Sequence, residues 1–325
     1  MPEVTVLTAV KNGAAYLAET IDSISGQTFT DWEYIIVDDH SNDSSVEIIK
    51  KYQETDARIK LIQLSSSLGP FGAANAGLKE AKGKYIIRND ADDVSVPERI
   101  EKQIGFLKSN PALKACASYA QRMDEHSRIL PDKLVKATLG PGSLKWYLFL
   151  RCPLVHSTAC VEREVFEEMG GYDPSFAAQD YRMWSYLARR NILAQIPEIL
   201  VYFRLTPSGI TFTKKSVQQE KGFKVAQDHI FESIGESWSM DVVAALNAFG
   251  LVKKGYPVSK AMAASRLWDS FWSKDEQLTD NERSELKLLS SSLRKTFLRR
   301  NRRTQPLSVA MSVWDYFFPN PKMGR

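Results

Sequence analysis

Through its first hundred residues the chain alternates short β-branched runs with amphipathic stretches, and three of the runs end in polar clusters. Val4 to Val10 reads as a buried strand and Ala15 to Ser25 as a helix with Leu17, Ile21 and Ile24 on one side. Tyr34 to Val37 is a second strand, followed by a turn and N-cap at Ser41 to Ser45 and a helical stretch from Val46 to Gln53. Lys60 to Leu64, Ala73 to Ala81 and Lys84 to Ile87 continue the pattern as strand, helix and strand, and Arg99 to Lys108 is a further helix. Such alternation predicts an α/β fold, a Rossmann-like and mostly parallel sheet with helices on both faces. Ligands of open sheets of this kind sit outside the carboxyl ends of the strands. Lys11-Asn12, Asp38-Asp39 and Asp90 to Asp93 all fall there, which suggests one shared site.

Beyond Gly140 the pattern becomes mixed, with helices at Glu164 to Met169 and Gln179 to Arg190 and a short strand at Leu200 to Phe203; beyond Thr213 it is largely helical. The expected division is a first domain over residues 1–213, its nucleotide-binding half about 1–110 and its acceptor half about 111–213, and a helical C-terminal extension over 214–325. A length of 325 residues with 43% hydrophobic and 25% charged residues suits an ordinary globular chain. Its net charge of +4 is unevenly placed: Ser284 to Arg325 holds nine Lys and Arg against Glu285 and Asp315. Cys116, Cys152 and Cys160 lack metal-ligand spacing and read as small buried hydrophobes. The N-terminus lacks the basic flank and apolar stretch of a signal peptide, so a cytoplasmic location is expected. No apolar run approaches the roughly 18 residues of a membrane span.

Asp90-Ala91-Asp92-Asp93 is the sharpest local signal. Carboxylates two apart at a strand end can reach one Mg²⁺ or Mn²⁺ whose remaining ligands come from a diphosphate, although acidic residues also favour such loops as helix caps. Asp39 could accept a hydrogen bond from a base N–H or ribose hydroxyl, or serve only an Asp-rich turn. Asp180 could take a proton from an attacking hydroxyl, or merely complement a helix dipole. His156 is open to an acceptor-binding or a structural role. No G-x-G-x-x-G follows the first strand and no Gly-Lys-Ser/Thr loop is present, which disfavours dinucleotide- and P-loop enzymes.

Taken in order, Val4 to Asn12, Ile35 to Asp43, Ala73-Ala74-Asn75-Ala76-Gly77, Asp90 to Asp93, and Gly170-Gly171-Tyr172-Asp173 with Gln179-Asp180 resemble family 2 glycosyltransferases of the GT-A fold, of the bacterial polysaccharide and cell-envelope type. The resemblance spans roughly residues 4 to 212. It implies an inverting transfer of a sugar from a nucleotide-diphosphate donor, a UDP-sugar, to an acceptor hydroxyl, assisted by Mn²⁺ or Mg²⁺. By the same resemblance Ala9, Val10, Asn12, Asp39, Asn75, Asp90, Ala91 and Asp92 line the donor site. Asp92 and Asp90 hold the metal, Asp180 is the general base, and His156 and Gln179 face the acceptor. The chain departs from the family pattern at Ala9, Lys11, Ala74 and Gln179, and at Leu205-Thr206, where many members have Arg-x-His ending in a histidine.

Two alternatives stand beside this reading: a nucleotide-sugar-binding protein without activity, and a sugar nucleotidyltransferase, for which Lys11-Asn12-Gly13 is too sparse a triphosphate loop. The expected partners are the donor and a carbohydrate or lipid-linked glycan acceptor; no nucleic-acid recognition motif is present. In the tail, Leu286, Leu289, Leu293, Phe297 and Leu298 form a helical stripe beside Arg294, Lys295, Arg299, Arg300, Arg302 and Arg303, with Trp314 to Phe318 beyond. Residues 284–318 could therefore lie on the inner face of an anionic membrane, or the helix could pack on the rest of the protein.

Overall fold

In the computed structural model, β-branched and aromatic runs form Val4–Val10 (β1), Trp32–Asp38 (β2), Ile59–Gln63 (β3) and Tyr85–Arg88 (β4). The structure describes residues 1–136, 139–174, 178–206, 215–251, 253 and 256–301, with backbone only for 132, 133 and 215–219. These four strands pair in parallel in the order β3-β2-β1-β4. Ala14–Ser25 (α1), Ser45–Thr55 (α2) and Gly69–Glu80 (α3) connect them. Every residue of β2 is buried, as in a parallel strand covered on both faces. The approach of α3 is close enough that a Cβ at Gly77 would lie 2.3 Å from Leu7 Cδ1 and 2.9 Å from Val37 Cγ2.

Past β4 the sheet becomes mixed. Cys160–Glu162 (β8) pairs antiparallel with β4 and with Ala115–Met123 (β6), and β6 runs parallel to Leu193–Arg204 (β9). Val94–Ser95 (β5) lies on the far side of β9, and Ile129–Val135 (β7) pairs with β6. Arg99–Ser109 (α4), Arg163–Met169 (α6) and Gln179–Arg189 (α7) complete this part, α6 and α7 near where the pattern predicts them. β9 is much longer than the expected Leu200 to Phe203, because Pro197 does not end it. The register steps from Ser118↔Ile196 to Tyr119↔Ile199, so Pro197 and Glu198 sit in a bulge where no ladder N–H is needed. Cys116 and Cys160 face each other across β6 and β8, both buried and free.

The chain divides into two compact units, residues 1–138 with 153–218, and residues 139–152 with 219–325. The segment Leu139–Cys152, expected in the acceptor half of the first domain, thus groups with the second unit, and the expected boundary residue Lys214 lies outside the described residues. The physical reason is the docking of Pro141–Tyr147 (α5). Gly142 N donates to Glu282 Oε1 at 2.7 Å and Gly140 N to Glu285 Oε2 at 2.9 Å, so carboxylates of Asp280–Asn301 (α11) satisfy free amides at its N-terminus, and Ser143 Oγ adds a bond to Glu285 Oε2 at 2.8 Å. Buried Trp146 donates from Nε1 to Asp275 Oδ2 at 2.7 Å, and Lys145 pairs with the same oxygen at 3.0 Å. Lys215–Ile234 (α8), Met240–Gly250 (α9) and Val258–Trp272 (α10) are the remaining described helices; Trp268 of α10 donates to the Trp146 carbonyl at 2.9 Å. On α11, Leu286 and Phe297 of the apolar stripe are buried and Leu289, Leu293 and Leu298 half-buried, while Leu288 is exposed; residues 302–318 lie outside the described residues. No described helix is long and apolar enough to cross a membrane.

Candidate active site

The first of the three strand ends is built by β1. Asn12 adopts a left-handed conformation, φ 54°, unusual for a residue with a side chain. The turn is held because Asn12 N donates to Ser41 Oγ and Asn42 N to Asn12 Oδ1, each at 2.9 Å, which ties the loops after β1 and β2 together. Val10 points into the core at 1% exposure, so what it offers at the crevice is backbone; its carbonyl accepts from Asp39 N at 2.8 Å. Ala9 is half-buried.

Asp39, at the end of β2, is 2% exposed and accepts hydrogen bonds from Ser67 Oγ at 2.7 Å, Leu68 N at 2.6 Å and Gly69 N at 3.1 Å. It therefore caps α3 from another strand, in addition to any contact a base makes there. Lys11 Nζ donates to Ser67 Oγ at 2.9 Å, completing a Lys11–Ser67–Asp39 chain.

After β4 the loop Asn89–Asp93 is held from behind by two buried arginines. Arg99 donates to Asn89 Oδ1, Ser95 Oγ and the Arg88 carbonyl at 2.8–2.9 Å. Burial lowers its pKa to about 10, which still leaves it charged at neutral pH. Arg204, at the end of β9, donates its N to Asp93 Oδ1 at 2.9 Å and its Nε to the Asp92 carbonyl at 2.8 Å, and pairs with Glu19 at 2.6 Å. Ser157 Oγ accepts from Asp90 N at 3.1 Å.

Held this way, the three carboxylates diverge in character. Asp93 is fully buried, and burial with the charges of Asp92 and Asp90 raises its pKa well above the ordinary value. Asp92 is pushed up to about 6, by burial first and then by Asp90. Asp90 is 41% exposed, with Arg88 Nη2 at 3.7 Å behind it. Ala91 packs toward the core, and its carbonyl accepts from Thr20 Oγ1 at 3.0 Å.

Among the described residues no group of three or more His, Cys, Asp or Glu is arranged to hold a metal. Asp90 and Asp92 form a pair of hard oxygen donors on one loop, which fits Mg²⁺ or Mn²⁺ completed by diphosphate oxygens and water.

Asp180 is brought to the same place by α7. Burial raises its pKa, the Tyr181 amide draws it partly back, and the charge of Asp90 raises it further. Its helix starts from Ala178, φ 66°, another left-handed residue with a side chain. Gln179, 2% exposed, accepts from Asp173 N at 3.1 Å, so it shapes the turn before the helix. His156 Nε2 and Tyr172 Oη are 2.9 Å apart, and the Phe71 ring lies against both, with centroids at 6.1 and 5.3 Å. Burial, reinforced by Arg88, lowers the His156 pKa to about 4, which leaves it neutral at pH 7. Asn75 pairs with the Tyr172 backbone, Nδ2 to O at 2.7 Å and N to Oδ1 at 2.9 Å.

The structure thus gathers Asp90, Asp92, Asp180 and His156, while Asn75, Ala91 and Val10 have their side chains on internal partners. Sequence reasoning missed Arg88, Arg99, Ser157 and the supporting role of Arg204. One signal was present: Arg88 is a lone charge closing an apolar strand, Tyr85-Ile86-Ile87-Arg88.

The model of the family described as Glycosyl transferase family 2 matches residues 5–170. A putative teichuronic acid biosynthesis glycosyltransferase, TuaG of Bacillus subtilis (strain 168), is 28% identical over 225 residues, 68% of this chain and 86% of TuaG. The crystal structure of S. aureus TarS 1-349 in complex with UDP-GlcNAc has a TM-score of 0.61 at 18% identity, covering 94% of this chain and 93% of that one. Mannosyltransferase PcManGT from Pyrobaculum calidifontis, in complex with GDP-Man and Mn2+, has a TM-score of 0.56 at 17% identity, covering 94% and 88%. At such identities the likeness to the two structures is one of fold.

Proposed function

The chain belongs to glycosyl transferase family 2 and is a glycosyltransferase, and from that premise we propose that it transfers a sugar from a UDP-sugar to an acceptor hydroxyl with inversion at the anomeric carbon. The observation that carries this reading is Asp180, a carboxylate of raised proton affinity within electrostatic reach of Asp90 at the carboxyl ends of the parallel strands. A half-buried aspartate whose proton affinity is raised in this way is a stronger base than one in water. Asp180 accepts the proton of the acceptor hydroxyl as that oxygen bonds the anomeric carbon. The bond to the diphosphate oxygen breaks on the opposite face, and the nucleoside diphosphate leaves with the electron pair. A divalent cation bound by Asp90 and Asp92 would offset the charge developing on the diphosphate. The Asn12 and Asp39 loops receive the nucleotide, and Asp90, braced by Arg88, receives the sugar and ribose hydroxyls.

A UDP donor is supported by the fold shared with TarS in its UDP-GlcNAc complex, and the cation by that shared with PcManGT in its GDP-Man and Mn2+ complex. A polysaccharide acceptor is supported by the likeness to TuaG, a putative teichuronic acid biosynthesis glycosyltransferase. His156 and Gln179 shape the acceptor side, His156 through the Phe71–Tyr172 wall and Gln179 through the turn at Asp173. The outer face of α11 carries exposed Lys287, Lys295, Arg299 and Arg300, and we assign it to peripheral contact with the inner face of an anionic membrane.

The test is titration calorimetry of UDP and GDP with Mn²⁺, beside nucleotide release from the matching sugar nucleotides. Asp180→Asn is expected to bind UDP as the unmodified protein does and to lose turnover by about 10³-fold, the scale of a general base. Asp92→Ala is expected to weaken Mn²⁺-dependent binding. Unaltered turnover in Asp180→Asn would remove it from the reaction, and failure of every nucleotide to bind would overturn the donor reading.

A further inference from the structure

The side-chain amide of Asn75 meets the backbone of one residue at both ends: it donates to the Tyr172 carbonyl at 2.7 Å and accepts from the Tyr172 amide at 2.9 Å. Asn75 lies on α3, the helix between β3 and β4, whereas Tyr172 lies almost a hundred residues away in the turn after α6. Two left-handed glycines open that turn, Gly170 at φ 71° and Gly171 at φ 76°. Gly171 passes so close to the clamp that an added Cβ would stand 2.7 Å from Asn75 Oδ1. The turn is then fastened to the start of α7 at two points: Asp173 N donates to Gln179 Oε1 at 3.1 Å, and Tyr172 Oη reaches Met183 Sδ at 3.6 Å. Asp180 follows Gln179 directly and sits two residues past the strained Ala178. A strained helix start keeps its position only while its surroundings over-determine it.

We infer that Asn75 is a positioning residue for Asp180: by clamping Tyr172 it fixes the turn that registers α7, and with it the carboxylate, against the strand ends. This inference rests on the proposed role of Asp180 as base. It separates Asn75 from the donor-binding set in which the family resemblance places it. A donor contact contributes to nucleotide affinity, while a clamp on the base loop contributes to the rate of proton transfer. Both amide atoms are needed, because an oxygen in place of Nδ2 would face the Tyr172 carbonyl with no proton between them.

The variants that test it are Asn75→Ala, the nearly isosteric Asn75→Asp, Gly171→Ala and the double variant Asn75→Ala with Gly171→Ala. Each is measured for UDP affinity with Mn²⁺ by calorimetry, and for kcat and KM of nucleotide release from whichever of UDP-GlcNAc, UDP-glucose and GDP-mannose the unmodified protein hydrolyses fastest. Thermal melts confirm folding, and Asn75→Asp keeps the test open if Asn75→Ala does not fold. The expected result is UDP affinity within about twofold of the unmodified protein and kcat lower by about 10- to 100-fold, the effect of a displaced catalytic group. Gly171→Ala should cost less in the Asn75→Ala background than alone, because both act on one contact. UDP binding weakened tenfold with kcat intact would return Asn75 to the donor site and overturn the inference, as would unchanged kcat in both Asn75 variants. An unmodified protein that binds UDP and turns over, but is insensitive to Asp180→Asn, would instead overturn the reading on which the inference rests.

Discussion

His156 is the residue whose surroundings depart furthest from what its sequence neighbours suggest. It stands among Cys152-Pro153-Leu154-Val155 and Ser157-Thr158, and nothing in that run anticipates Tyr172 and Phe71 against its ring. Burial and Arg88 lower its pKa from the ordinary 6.5 to about 4. Between those two values the unfolded chain binds a proton that the folded one refuses, so stability falls as pH falls. The contribution is complete above pH 6.5 and is lost progressively down to about pH 4. Urea midpoints measured at pH 7, 5.5 and 4.5 should decline in the unmodified protein and decline less steeply in His156→Asn. Parallel decline in the two proteins would mean that other groups carry the acid sensitivity. Asp39 is a second case: its place at a strand end is plain from Tyr34-Ile35-Ile36-Val37-Asp38-Asp39, but its three hydrogen bonds to residues 67–69 are long-range and leave no trace in local pattern.

At the scale of elements, helix α3 shows where local reading stops. Its apolar period predicts a start at Ala73, yet it begins at Gly69, because the Asp39 carboxylate accepts the amides of Leu68 and Gly69 and Pro70 needs no partner at the first turn. Its small residues follow from contact with the sheet, and the same substitution should therefore have opposite effects on two helices. Gly77→Ala pushes a methyl into Leu7 and Val37 and should destabilise by about 1–3 kcal/mol, as overpacked cores do. Gly105→Ala on α4, where nothing lies within 4 Å of the new Cβ, should stabilise by about 0.5–1 kcal/mol through helix propensity. Denaturant midpoints decide both; equal effects would mean that propensity, not the approach of α3, governs these positions. The short helix α5 was invisible for a related reason: its N-terminus is completed by Glu282 and Glu285, well over a hundred residues away.

For the whole molecule, charge is the property that sequence and structure read together. The nine basic residues after Ser284 predict either a membrane-facing or a packed helix; in α11 Leu286 and Phe297 are buried while Lys287, Lys295, Arg299 and Arg300 remain exposed, so a membrane contact made by this basic face is electrostatic. Near an anionic surface each Lys or Arg contributes about 1 kcal/mol at low salt. Flotation with phosphatidylserine vesicles should therefore fall with added salt and fall further in a Lys287→Glu, Lys295→Glu, Arg299→Glu variant, whereas salt-independent flotation would point to apolar anchoring. The sequence by itself determined the α/β alternation, the parallel half of the sheet and the strand ends that carry Asp39, Asp90 and Asp92, because hydrophobic period and strand-end position are local properties of the chain; Asp180, at a helix start, was reached only through the family resemblance. Only the tertiary structure decided that Arg99 and Arg204 carry the acidic loop, that burial raises the Asp93 carboxyl well above its ordinary range and pushes Asp92 up to about 6, that Pro197 lies in a bulge and that Leu139–Cys152 joins the C-terminal helices. Each of these depends on burial and on hydrogen bonds between residues far apart in the chain, which come into being only when the fold brings them together.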